Sequence, residues 1–136
     1  MSERIVHTRW DGGLRAVTEA NGFQIVVDEP ETSGGSNTGP QPTDLFLASI
    51  SSCFAISIAW VARKHDITLS NLNVDAVGRY DGPKFVHIEI AVTADNPRPV
   101  LEELAKHAER VCYVTKTLRH GPDITVTIGQ PQRPQS

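Results

Sequence analysis

Cysteine is scarce in this chain, which holds only Cys53 and Cys112, 59 positions apart. They form no CxxC pair, so a thioredoxin-type motif is absent. A zinc site needs more ligands at short spacing, and His107, five residues before Cys112, offers little. Neither a metal nor a bound cofactor is expected. Positive charge is short as well: 13 Lys and Arg against 16 Asp and Glu leave a net charge of −3. Nucleic-acid binding in general needs a basic face that displaces counterions, so no nucleic-acid partner is expected. Long apolar runs are missing. The opening MSERIVHTRW has no apolar h-region, and no window reaches the roughly 20 apolar residues of a membrane span. The expectation is a cytoplasmic protein with no membrane partner, its thiols normally reduced. No solenoid-type repeat is visible. What remains, 39% hydrophobic and 21% charged over 136 residues, suits one soluble domain over 1–130 with a disordered tail, 131–136.

The longest helical apolar repeat runs from Gln41 to His65, QPTDLFLASISSCFAISIAWVARKH, with Cys53 near its middle. Pro42 and Asp44 favour a helix start, since proline has no amide hydrogen to lose there and a carboxylate suits the positive end of the dipole. Arg63, Lys64 and His65 suit the other end. Leu45, Phe46, Ile50, Cys53, Phe54, Ser57 and Val61 recur at intervals of three and four, while Leu47, Ile56, Ile58 and Trp60 fall on other faces. A helix apolar nearly all round must be covered on several sides.

Before it, residues 4–10, 14–19 and 23–27 read as strands joined by Asp11-Gly12-Gly13 and Asn21-Gly22 turns. The stretch EPETSGGSNTGP reads as an irregular loop of a length that suits the rim of a site. After the helix, alternation predicts strands over 72–80 and 86–92, joined at Asp81-Gly82-Pro83. Helices follow over 100–110 and 111–118, then a last strand through Ile124, Val126 and Ile128. The fold class is α+β, β-β-β-α-β-β-α-(α)-β, around a buried central helix.

Free cysteines are most often small buried hydrophobes, and the pattern alone leaves that reading standing. Thiol chemistry needs the thiolate, while an unperturbed cysteine has a pKa of about 8.5. Cys53 lies well inside its helix, beyond the first turn where the dipole acts. A cation must come from elsewhere, and arginine suits because it stays charged when buried and forks two hydrogen bonds. Arg9 and Arg15 are the candidates, Arg63 being too far along the same helix.

The runs GPQPTDLFLASISSCF, ERVCYVTKTL and DITVTI, with the early WDGGLR and the loop GGSNTGP, resemble the OsmC/Ohr family of osmotically induced protein C and the organic hydroperoxide resistance proteins. The resemblance implies an intertwined homodimer with two central helices back to back. It also implies a thiol peroxidase in which Cys53 attacks the hydroperoxide and Cys112 resolves the sulfenic acid as a disulfide. An external dithiol, a lipoyl group or a small thiol, would then reduce that bond. Arg15, in GGLR, best matches the family's assisting arginine, with Arg9 second. Two positions depart from the family pattern. Thr43 stands where hydroperoxide resistance proteins carry a glutamate that orients the arginine, and Tyr113 follows the resolving cysteine where proline is frequent.

Phe46, Ile50 and Phe54, with Tyr113 and Val114, are the candidate substrate lining, apolar enough to favour organic hydroperoxides. The rival is a binding or stress protein of the same fold with weak or no peroxidase activity. An acyl-transfer role for Cys53 is a third reading, without a His or Asp in a recognisable partner motif.

Overall fold

The structure, a computed structural model, describes residues 2–129. The expected tail, 131–136, lies outside these residues. Two compact units divide the chain, one of residues 2–45 with 125–129, the other Phe46–Ile124.

In the first unit, β1 (His7–Trp10), β2 (Ala16–Ala20) and β3 (Phe23–Val27) form an antiparallel sheet in that order. Ala20 pairs with Phe23 across a two-residue turn, Asn21-Gly22, in which both φ angles are positive, 51° and 84°. That is the twist-matching hairpin turn, which tolerates few residues other than Asn and Gly. After β3 the chain makes one 3₁₀ turn, Glu31–Ser33, and the amide of Asp28 bonds the carbonyl of Pro40 at 3.0 Å, closing the loop at its base.

Helix α1 spans Pro42–Lys64, in agreement with the apolar repeat. Asp44 accepts a hydrogen bond from the Gln41 amide at 2.9 Å, the reciprocal half of a capping box. At the other end Asp66 takes a left-handed φ of 53°, and the Ile67 amide reaches the Ala62 carbonyl at 2.9 Å. This closure satisfies carbonyls the helix leaves free.

In the second unit, β4 (Asn73–Asp81) and β5 (Lys84–Thr93) form an antiparallel hairpin, followed by α2 (Arg98–Val111) and α3 (Tyr113–Arg119). Phe54, Ile58, Val61 and Ala62 of α1 pack with Leu104 and Ala108 of α2 and with Cys112. Val74, Ile90 and Val92 of the hairpin lie against this cluster. Spacings of three and four on α1, and of four on α2, put each set on one helix face.

One expected element differs. Residues 121–129 carry no regular structure, and Ile124, Val126 and Ile128 are 85%, 86% and 98% exposed. Alternation supplies the side-chain pattern of a strand, but a strand exists only as a ladder with another edge. Among the described residues this segment pairs with no edge.

Candidate active site

The two sulfurs meet. Cys112 Sγ lies 3.3 Å from Cys53 Sγ, and both cysteines are free thiols. Cys53 is placed by the middle of α1 and is half-buried. Cys112 is fully buried at the junction where α2 ends and α3 begins, its backbone extended at φ −79°, ψ 108°. A break in the helix there gives the side chain its direction across to α1. Ser57, one turn beyond Cys53 on α1, is buried but satisfied by donating to the Cys53 carbonyl at 2.7 Å.

Burial pushes the Cys112 thiol up, but the hydroxyl and amide of Thr115, the Cys53 thiol and the Val114 amide beside it pull it down. Together these outweigh burial and leave it below its ordinary value. No His, Asp or Glu side chain hydrogen-bonds either sulfur among the described residues. Nor do three or more His, Cys, Asp or Glu side chains there stand together in a way that would hold a metal ion.

Arg15 belongs to the first unit. Its Nε donates to Asp11 Oδ2 at 2.9 Å and its Nη1 to Thr38 Oγ1 at 2.9 Å. Arg9 shares the same carboxylate, donating to Asp11 Oδ1 at 2.8 Å, and is more exposed than Arg15. Thr38 is in turn fastened to Asp28, which is fully buried. Its hydroxyl and amide donate to Asp28 Oδ2 at 2.5 and 3.1 Å, while the Glu29 and Ser36 amides donate to Oδ1 at 2.7 and 3.4 Å. Led by the Thr38 hydroxyl, these bonds hold the Asp28 carboxyl at about 2, against 3.8 ordinarily. Gly39 passes so close to the Val26 backbone that a side chain would not fit. The loop is a built element rather than slack chain.

The other candidates are placed as follows. Phe54 packs in the core cluster that contains Cys112, and Ile50 is fully buried. Phe46 stacks on Phe85 at 5.5 Å between ring centroids. Tyr113 is 84% exposed at the first position of α3. Thr43 is in the first turn of α1, beside Asp44, whose carboxylate is occupied by the helix cap. Sequence reasoning missed Asp11, Asp28 and Thr38. Asp11 was visible only as the start of a turn, and Asp28 only as an acidic residue at the mouth of a Gly- and Ser-rich loop.

The OsmC-like protein family model matches residues 34–127, which include both cysteines, α1 and the whole β4–β5 hairpin. The chain belongs to the OsmC-like family. No curated protein matches it in sequence. Solved structures resemble this OsmC-like chain in fold. An OsmC-like protein from Mycoplasma pneumoniae is 16% identical, with a TM-score of 0.75 over 88% of this chain and 89% of that one. An organic hydroperoxide resistance protein OsmC from Legionella pneumophila is 21% identical, with a TM-score of 0.64 over 88% and 91%. An organic hydroperoxide resistance protein from Elizabethkingia anophelis, with thiocyanate bound, gives the same four values. At these identities the likeness is one of fold.

Proposed function

We propose that this OsmC-like chain is a cysteine-based peroxidase that reduces organic hydroperoxides to alcohols. The observation that carries the reading is the 3.3 Å approach of two thiols that lie 59 residues apart. Cys53 is the more accessible of the two and meets the substrate first. Its thiolate attacks the terminal oxygen, the O–O bond breaks, and the alkoxide leaves with a proton as alcohol. Cys53 is then a sulfenic acid, oxidised by two electrons. Cys112 attacks Cys53 Sγ and expels the oxygen as water, forming a disulfide. The donors around Cys112 that favour its thiolate favour this second step. An external dithiol, a lipoyl group or a small thiol, returns both cysteines to thiols. Arg15 is the arginine that the family resemblance implies as assisting residue, and its two anchors make it a better-fixed guanidinium than Arg9.

Among the described residues no His, Asp or Glu side chain hydrogen-bonds either sulfur, which speaks against acyl transfer. The reading of a stress or binding protein with little chemistry draws on Thr43, since Asp44 is committed to the cap. A homodimer belongs to the proposal because α1 leaves Ile56 and Trp60 exposed on one face, 69% and 48%. Its test is consumption of cumene hydroperoxide with dihydrolipoamide or dithiothreitol as reductant. Cys53→Ser is expected to reduce the rate to the uncatalysed background. Undiminished turnover by that variant ends the enzymatic reading.

A further inference from the structure

Within the second unit, two histidines that the peroxidase reading does not use stand side by side. The His65 and His107 rings lie 5.6 Å apart between centroids, tilted by 38°. Separate elements fix their backbones. The His65 amide donates to the Val61 and Ala62 carbonyls, each at 3.2 Å, where α1 closes. His107 lies on α2 between Leu104 and Ala108, both buried in the core. Both rings line one groove of about 320 Å³, whose wall is otherwise apolar, Ile67, Pro99, Val100 and Leu104, apart from Glu103. Among the described residues, His87 is the one histidine whose ring hydrogen-bonds the protein, to Arg79 at 3.1 Å. The ring nitrogens of His65 and His107 have no protein partner there. A neutral imidazole keeps a lone pair on one nitrogen, and borderline transition metals favour such donors.

We propose that His65 and His107 form a two-imidazole site for a divalent transition-metal ion of the zinc, nickel and copper class. An imidazole nitrogen binds zinc at about 2.0–2.1 Å. Two rings sharing one ion at square to tetrahedral angles then hold their centroids roughly 4.5 to 5.2 Å apart. The observed separation is slightly greater, and the exposed His65 side chain closes it by turning about its own bonds. Three protein ligands do not stand together among the described residues, so water completes the shell. Glu103, one turn before His107 and on the same groove wall, is the acceptor for such a water. Lys106 meets Glu103 at 3.6 Å and Lys64 lies over the Trp60 ring at 4.5 Å, so each ammonium has a partner other than the imidazoles. Calcium and magnesium do not suit the site, because they take oxygen ligands. A bound ion ties the end of α1 to α2. The inference does not rest on the peroxidase reading.

The test is a zinc titration of the reduced chain, followed through the ring resonances of its five histidines. Zinc held by the thiols leaves those rings unmoved, so the two kinds of binding are read apart. The His65 and His107 rings are expected to shift together and saturate at a common midpoint, with His7, His87 and His120 unchanged. A chelator should reverse the shift. His65→Gln and His107→Gln should each weaken binding at the remaining ring by about tenfold or more. Both changes lie at positions that are not fully buried, so either variant serves if the other fails to fold. Zinc that moves neither ring, or moves them no more than His7 and His120, overturns the inference. So does a variant whose remaining imidazole binds as tightly as the parent pair, since one histidine would then suffice.

Discussion

At the scale of single residues, Asp28 carries the clearest consequence for solution behaviour. The Thr38 hydroxyl is the largest cause of its lowered carboxyl, followed by the Glu29 amide, with burial opposing and the Thr38 and Ser36 amides adding to the lowering. A folded-state value of about 2 against 3.8 means the carboxylate stabilises the native loop fully above about pH 4. That contribution fades as pH falls from 3.8 toward 2. Asp28→Asn should therefore lower the melting temperature by several degrees at pH 7, and the gap between variant and parent should close near pH 2. Thermal melts across pH 2–7 check this; a gap independent of pH would assign the loss to shape rather than charge. The sequence made Cys53 and Cys112 visible as the only thiols, but a separation of 59 residues says nothing of whether they meet. Family resemblance supplied that. Asp28 and Thr38 stayed hidden because a polar network in a loop has no periodicity to read.

At the scale of elements, periodicity carried far. Strand β3 and helix α1 fall where alternation and the three-four repeat put them, because a half-buried strand and an apolar helix each write their period into the chain. The final strand did not, since a ladder needs a partner edge that no local pattern specifies. Packing between elements was equally silent, and Gly78 shows why. In β4 its backbone is ordinary, so replacing it by alanine would normally stabilise a strand by roughly 0.5 to 1 kcal/mol. Here the new methyl would stand 2.6 Å from Phe85 Cδ1 and 3.1 Å from Leu47 Cδ2 of α1. Phe85 cannot swing away freely, because its ring is stacked between Tyr80 at 4.5 Å and Phe46 at 5.5 Å. Overpacking of that kind costs about 1 to 3 kcal/mol, which exceeds the propensity gain. Gly78→Ala should thus lower stability by about 1 to 2 kcal/mol net. Urea titration should show the lower midpoint with an unchanged slope; a rise in the midpoint would mean the aromatic stack yields.

At the scale of the molecule, α1 poses the question that a single chain does not answer for itself. By length and composition it could cross a membrane, and only about a third of its most apolar stretch is buried in the single chain. Yet Cys53, Phe54, Ile58 and Val61 face a packed protein core, so one side of the helix already has its solvent-excluding partner. The uncovered side bears Ile56 and Trp60, one turn apart, with Lys64 Nζ 4.5 Å above the Trp60 ring. In the homodimer we propose, two-fold symmetry would bury such a face against its own copy. Ile56→Glu tests this cleanly, because the side chain is 69% exposed in the single chain and the substitution leaves that chain's core intact. Losing the burial of one isoleucine on each of two subunits removes roughly 3 to 6 kcal/mol from association. The dissociation constant should then rise by about two orders of magnitude or more, since each tenfold corresponds to about 1.4 kcal/mol. Sedimentation velocity across a dilution series would show monomer where the parent stays dimeric, with the far-ultraviolet circular dichroism unchanged. A variant that dimerises as tightly as the parent would mean that this face of α1 is not the surface that brings two copies together.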